Sequence, residues 1–482
     1  MSQVKKNFIY NIIYQILTLL LPLIVTPYVS RVLGVNGVGV YSYTYSIVYY
    51  FILIAMLGIN NYGNRSIAKV RDNKDELSKT FVCIYKVQVT MSILMILLYV
   101  LYILIFDIQY KIFAIVQGIY LIATLFDINW FFFGLEKFKL TVTRNILIKI
   151  ISVIFIFVFV NTENDLLLYI IILACSNLFS NLLLLPFLLK EIDIIKVNFS
   201  DIKVHIKPII ILFIPVIAIS LYKVMDKVMI GLVCDVSEVG LYEQAEKITQ
   251  MPLSLIIALG TVMMPKISNL FSKNKINEIL KYISKSIKFE MFLCFPIVFG
   301  LISISEKFVP LFLGNEFSKS YILLDILSIT LIFICFANVL RTQYLIPNNR
   351  DKEYIISVVI GAFVNLIINL LLIPKYASIG ACVGTVTAEF SVMFFQTMVI
   401  RKELPIKNYI RESIPFLLKS ILMFIIIYPF NFFNMNDIVR IIIQIIIGCI
   451  VYIILNIKYI FSIINFNEIL NRIMKIIHNT SN

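Results

Sequence analysis

Residues 354–373 read YIISVVIGAFVNLIINLLLI, a run without a single charge. A helix rises 1.5 Å per residue, so about 20 residues span the roughly 30 Å hydrocarbon core of a bilayer. The run is rich in Ile, Leu and Val and shows no period-two alternation. That excludes a barrel strand, and inside lipid only helices and closed barrels satisfy their backbone polar groups. The stretch therefore predicts a transmembrane helix. Outward in both directions the same pattern recurs, giving fourteen spans at roughly 8–29, 40–60, 81–106, 112–133, 146–160, 167–189, 208–232, 239–264, 289–312, 320–341, 354–373, 378–400, 414–430 and 438–457. The links are short and polar, and none has room for a soluble domain. The expected fold is an all-α integral membrane protein with about fourteen transmembrane helices.

The bulk composition agrees: 60% of the 482 residues are hydrophobic and 15% charged, far from a soluble average. The net charge of +14 would suggest nucleic acid in a soluble chain, but its placement here argues for sidedness, and no nucleic-acid partner is expected. With a cytoplasmic N-terminus, only Arg31, Lys111, Lys307, Lys319, Lys375 and Arg440 fall on the outer side. Lys223, Lys227 and Lys247 sit within spans, and every other Lys and Arg lies inside. That is a strong positive-inside bias. An even number of spans returns the C-terminus to the cytoplasm. Lys5 and Lys6 before the first apolar run imitate a signal peptide, but the run lacks a small-x-small cleavage site and reads as a retained helix. The seven cysteines are scattered and form neither a CxxC pair nor a metal spacing with His205 and His478, so no disulfide framework, metal site or cofactor is expected.

The chain also repeats itself. Val38-Gly39-Val40-Tyr41 opens the second span and Val239-Gly240-Leu241-Tyr242 the eighth, six spans later. Pro22 and Pro215 interrupt the preceding spans, each followed by a cation, Arg31 or Lys223, and Leu57-Gly58 recurs as Leu259-Gly260. This predicts two pseudo-symmetric six-helix lobes, 1–207 and 208–413, then two C-terminal helices over 414–457. An amphipathic tail over 458–482 is expected to lie on the inner membrane surface. Repeat-built transporters bind their substrates near the midplane, where the repeats meet.

Ionisable groups inside a span are expensive and need a partner or water. Lys223, Asp226 and Lys227 share one helical face at spacings of three and four, and Asp226 can neutralise one lysine only. Glu243, Glu246, Lys247 and Gln250 share a face of the next span, with Glu243 and Lys247 placed to pair. Together they read as the wall of an aqueous, cation-rich cavity; the competing reading has them snorkel to the outer interface. Glu389, at the centre of its span, has two open readings: a proton or cation site, or a protonated, hydrogen-bonded group. The polar stripe Asn7, Asn11, Gln15, Thr18, and the pairs Asn177/Asn181 and Asn365/Asn369, either join helices or line the cavity. Tyr41, Tyr43, Tyr45, Tyr49 and Tyr50 read as an interfacial belt, with sugar stacking as the alternative. Arg31, Arg65 and Arg341 stand at span ends, where a guanidinium would suit a diphosphate or simply serve sidedness. No Walker A motif and no loop-borne hydrolase motif is present, so neither an ATP engine nor an enzyme is expected.

Several stretches resemble bacterial polysaccharide transporters, the Wzx-type flippases. They are Pro27-Tyr28-Val29-Ser30-Arg31-Val32-Leu33-Gly34 with Gly37-Val38-Gly39-Val40-Tyr41; Trp130 through Lys139; Asp226-Lys227 with Val239 through Ala245; and Leu372 through Tyr376 with Ile379-Gly380-Ala381. They cover nearly the whole chain, in order. The resemblance implies a superfamily shared with multidrug extruders and the lipid II flippase, and alternating access through a cationic central cavity. It implies as cargo an undecaprenyl-diphosphate-linked oligosaccharide, carried to the outer leaflet of the bacterial plasma membrane for capsule, O-antigen or exopolysaccharide assembly. The partners implied are a polysaccharide polymerase and its chain-length machinery. On this reading Arg31, Arg65, Lys223, Asp226, Lys227, Glu243, Lys247 and Arg341 are substrate-binding candidates. Asp226 and Glu389 are candidates for coupling to H+ or Na+. The alternative is an ion-coupled multidrug or cation antiporter, which should favour an acidic cavity.

Overall fold

The computed structural model describes residues 3–106, 109–193 and 195–463, so the amphipathic tail beyond Ile463 lies outside the described residues. Every regular element among them is helical. The α-helices are α1 Gln3–Met56, α2 Ile59–Val70, α3 Lys74–Ile105, α4 Lys111–Ala123, α5 Asn129–Gly134, α6 Phe138–Phe159, α7 Leu166–Leu182, α8 Leu185–Leu188 and α9 Phe199–Val233. They continue with α10 Val236–Ser272, α11 Ile276–Leu313, α12 Ser320–Ser328, α13 Thr330–Leu340, α14 Asp351–Ile400, α15 Ile406–Ile427, α16 Asp437–Leu455 and α17 Ile457–Ile463.

Eleven stretches are long and apolar enough to cross a membrane. Two of them, Leu21–Val70 and Asp351–Ile400, are 50 residues each, about 75 Å of helix and too long for one crossing. The first is broken at Gly34 (φ 66°) inside α1 and again at Leu57 (φ 44°), between α1 and α2, and the second at Ala377 (φ 50°) in α14. At Ala377 the chain doubles back: a Cβ on Gly380 would lie 2.5 Å from the carbonyl of Leu372. In a straight helix those residues would stand about 12 Å apart. The helix α10 also has the length to cross, but Glu243, Glu246 and Lys247 interrupt its apolar run. With the broken stretches taken as two crossings each, and α10 as one, the described chain crosses fourteen times, as the apolar runs predict.

The breaks at Gly34 and Ala377 leave helix N-termini with unpaired amides, and both receive a carboxylate there, where the helix dipole favours one. Glu316 Oε2 accepts from the Val35 amide at 3.1 Å. Glu238 Oε2 accepts from the Ser378 hydroxyl at 2.5 Å, while its other oxygen binds Lys319 Nζ at 2.5 Å.

Packing divides the chain into two units. The first runs through Lys247 and adds Phe312–Leu323 and Ile355–Ser391; the second holds Ile248–Leu311, Leu324–Tyr354 and the chain from Val392 onward. The first is centred on Trp130, Phe131 and Phe132, all buried, with Phe81, Ile59 and Ile67 around them. The indole Nε1 donates to Gln88 Oε1 at 2.9 Å, so the tryptophan is satisfied as well as packed. A Cβ on Gly63 would lie 2.3 Å from that indole, which is why a glycine faces it. In the second unit Leu253, Ile283, Leu331, Val339, Ile400 and Phe416 form the core. Outward-facing side chains are apolar, with Leu97, Leu104 and Ile454 each more than 60% exposed, as a lipid-facing surface requires.

Candidate functional site

Two charged centres lie side by side in the first unit, both built on α9. Asp226 is fully buried. Its Oδ2 accepts from the Tyr242 and Thr385 hydroxyls, both at 2.6 Å, and its Oδ1 from Asn369 Nδ2 at 2.6 Å. Asn369 Nδ2 also donates to Asn365 Oδ1 at 3.1 Å. No lysine or arginine among the described residues pairs with Asp226. Two hydroxyls and an amide satisfy the carboxyl oxygens, with no cation beside them among the described residues. Asn369 Oδ1 has no donor, and a side chain at Gly384 would reach within 2.1 Å of it. The site is thus one carboxylate ringed by two hydroxyls and an amide.

The second centre begins one residue on. Lys227 Nζ lies 2.6 Å from Glu243 Oε2 and 2.8 Å from Glu246 Oε2, and Lys247 Nζ lies 3.0 Å from Glu243 Oε1. Ser42 donates to Glu243 Oε2 at 2.8 Å. The expected pairing of Glu243 with Lys247 is present. The expected pairing of Asp226 with a lysine is not, because adjacent helix residues point about 100° apart. Asp226 faces Tyr242 and the two arms of α14, and Lys227 faces the glutamates of α10. The two lysines of this cluster are balanced by its two glutamates, while Lys223, one turn earlier, is exposed and makes no ion pair among the described residues.

The cluster sits on a close crossing of α1 and α10. A Cβ on Gly39 would lie 2.0 Å from the Val236 carbonyl oxygen, and one on Gly240 2.3 Å from that of Val35. Gly39 and Gly240 are equivalent positions of the repeat, and so are Val35 and Val236. Ser42 and Glu243 are likewise separated by 201 residues. The contacts are reciprocal, each glycine facing the carbonyl of the residue 201 positions from the one its counterpart faces.

The remaining candidates stand apart. Arg31 is exposed, its Cγ 3.4 Å from where a Gly314 side chain would begin. Arg65 is exposed at the start of the polar turn of α2 and has no ion pair among the described residues. Glu389 is buried in the second arm of α14. Arg341 belongs to the second unit, where it donates to Asn338 Oδ1 at 2.8 Å and lies 5.6 Å from the Tyr354 ring. Two tyrosines of the second span pack on neighbouring helices: Tyr41 stacks on Tyr45 at 5.9 Å and meets Tyr169 edge-on at 5.2 Å, and Tyr45 meets Tyr120 at 5.2 Å, while Tyr43 meets Tyr110. One buried acid escapes sequence reading. Glu290 accepts from Asn338 Nδ2 at 3.4 Å, and its Oε2 has no partner among the described residues. It looks peripheral because the apolar run begins near residue 289, whereas α11 starts at Ile276.

A fourteen-crossing helical bundle with carboxylates and lysines in its interior defines a multi-pass membrane transporter. Residues 4–271 match the family described as polysaccharide biosynthesis protein. The chain belongs to that family. A candidate O-antigen transporter of Escherichia coli (strain K12) is 24% identical over 407 residues, covering 82% of this chain and 96% of that one. The capsular polysaccharide biosynthesis protein CapF of Staphylococcus aureus is 24% identical over 259 residues, 53% of this chain and 65% of its own. Among solved structures, the lipid II flippase MurJ in an inward closed conformation has the same fold, with a TM-score of 0.78 over 95% of this chain and all of that one at 18% identity. An inward-facing multidrug resistance transporter of the MATE family aligns at a TM-score of 0.60 and 12% identity, over 78% of this chain and 94% of its own.

Proposed function

We propose that this protein is a flippase carrying polyprenyl-diphosphate-linked oligosaccharide repeat units from the cytoplasmic to the outer leaflet of the bacterial plasma membrane. The carrying observation is the Lys227/Lys247 cluster, held inside the bundle by Glu243 and Glu246 and flanked by the exposed Lys223. A diphosphate offers the same oxygens as those glutamates, and in a low-dielectric interior such exchange is worth far more than in water. The row Tyr41, Tyr45, Tyr120, Tyr169 provides ring faces suited to sugars. Arg31, Arg65 and Arg341 assist at the ends of the path. In this reading the lobes 1–207 and 208–413 rock about the paired glycines, the helices 414–457 stand beside them, and both termini face the cytoplasm. The product feeds a polysaccharide polymerase and its chain-length machinery.

Asp226 and Glu389 couple transport to H+ or Na+ in this scheme. The buried carboxylate of Asp226, with no cation beside it among the described residues, also favours a second reading, an ion-coupled exporter of cations. Lys223→Ala and the charge-balanced pair Lys227→Met/Glu243→Gln separate the two, because a flippase should fail and a cation exporter should not. The direct test is deletion followed by leaflet-resolved analysis of lipid-linked glycans. Complete, unpolymerised repeat units trapped on the inner leaflet support the flippase; normal export without the gene refutes it.

A further inference from the structure

Glu290 is a buried acid that the proposed transport scheme does not use, and its neighbours belong with it to the second unit. It stands on α11, fully buried. Asn338 Nδ2 donates to its Oε1 across a long 3.4 Å, and Oε2 has no partner among the described residues. The charge that acts on it is Arg341, beyond Asn338 on the same side. The thiols of Cys335 on α13 and of its neighbour Cys294, one turn along α11, lie beside it. From α10 come the Ile257 carbonyl, 3.5 Å from Asn338 Nδ2, and Gly260, neither of them charged.

Arg341 fixes which way the Asn338 amide points. Its guanidinium lies 2.8 Å from that amide and can only donate, so the oxygen faces Arg341 and the nitrogen faces Glu290. Gly260 leaves room for this arrangement, since a Cβ there would lie 2.6 Å from Nδ2. An ionised carboxylate with one long amide contact would stand almost uncompensated in the interior. Bonds to an ionised carboxylate also run short, about 2.9 Å or less, as the 2.6 Å contacts at Asp226 do. A proton on Glu290 removes that cost. A hard cation would instead need several oxygens around it, whereas Asn338 offers its nitrogen.

We propose that Glu290 is a proton-binding site, and that Asn338 links its protonation to the anion affinity of Arg341. With the proton in place, Arg341 keeps its full positive charge for an anion. With the proton gone, the carboxylate tightens on the amide and offsets part of that charge, so the anion binds less well. Arg341 also opens the π-helical turn Arg341–Leu345, in which the Ile346 amide reaches back to the Arg341 carbonyl at 3.0 Å; such turns are frequent at functional sites. The linkage is reciprocal, so an anion at Arg341 draws a proton onto Glu290. This second half rests on Arg341 being a diphosphate contact, as in the proposed function; the proton site does not.

The test uses the full-length protein in phosphatidylcholine nanodiscs, with undecaprenyl diphosphate as the probe. The infrared spectrum of the parent at neutral pH, less that of Glu290→Gln, should show the band of a protonated carboxyl; its absence overturns the proton site. From neutral to alkaline pH the parent's affinity for the probe should fall about tenfold, a usual size for coupling between two sites. Glu290→Gln should stay at the high-affinity level throughout, and Asn338→Leu should keep the infrared band while losing the pH dependence. An equal pH dependence in the parent and Glu290→Gln overturns the linkage. The parent alone gives a second check: at alkaline pH, probe binding should take up protons from a weakly buffered solution, and no uptake overturns the linkage. Probe binding unaltered by Arg341→Ala refutes the diphosphate contact and the linkage with it, while the infrared band still decides the proton site.

Discussion

Asp226 and Lys227 are neighbours in the chain and opposites in how their charge is held. Asp226 is surrounded by hydroxyls and an amide, with no lysine or arginine partner among the described residues. Lys227 is held by two carboxylates, with Lys247 completing the balance. A charge held by neutral groups can change its protonation or take up an ion without unmaking the structure around it. A charge held by other charges is committed, and releasing it needs a competitor of the same sign as its partners. The first kind of site suits coupling to a small ion, the second exchange with a phosphate.

The contrast can be broken most directly at Lys227. Lys227→Met leaves Glu243 and Glu246 together in a buried setting, and the expected loss of stability is about 3–5 kcal/mol, read as a lowered melting temperature in detergent. Adding Glu243→Gln should restore much of it, because the two residues are coupled; a double variant as unstable as the single one would place the cost elsewhere. Next in size is the glycine crossing beneath the cluster. Gly39→Ala and Gly240→Ala each put a methyl within 2.3 Å of a carbonyl oxygen, so each should cost about 1–3 kcal/mol by overpacking. The reciprocal contact predicts similar losses, and a large inequality in thermal melts would break that expectation.

Asp226→Asn should be mild for the fold, on the order of 1 kcal/mol, since the new amide keeps an acceptor for Tyr242 or Thr385. It should nonetheless abolish any response of transport to an imposed H+ or Na+ gradient. Retention of that response would remove Asp226 from coupling. Smallest for the fold is Lys223→Ala, expected within about 0.5 kcal/mol because the side chain is exposed and has no ion pair. Its effect should appear in transport alone.

Much of this architecture was legible in the sequence because lipid imposes a simple rule: about 20 apolar residues per crossing. The spacing of Glu243 and Lys247 also sufficed to predict their pairing. The partners of Asp226 were not legible, because they come from Tyr242, Asn369 and Thr385, on helices whose rotation no single-chain pattern fixes. Asn369 stood out as polar without disclosing what it met. Tyr41 and Tyr45 depart from the expected belt for the same reason: their position at a span end suited an interface, whereas they pack against Tyr169 and Tyr120. Glu290 was hidden by a helix that outruns its apolar segment.

The central claim is that the lysines of the cluster exchange their glutamates for the cargo's diphosphate. Its most direct measurement is the rate at which purified protein in proteoliposomes moves a fluorescent polyprenyl-diphosphate oligosaccharide between leaflets, comparing the parent with the charge-balanced pair Lys227→Met/Glu243→Gln. The account predicts that the pair, with stability near that of the parent, flips the lipid no faster than protein-free vesicles. Flipping at the parent rate by that variant would contradict it.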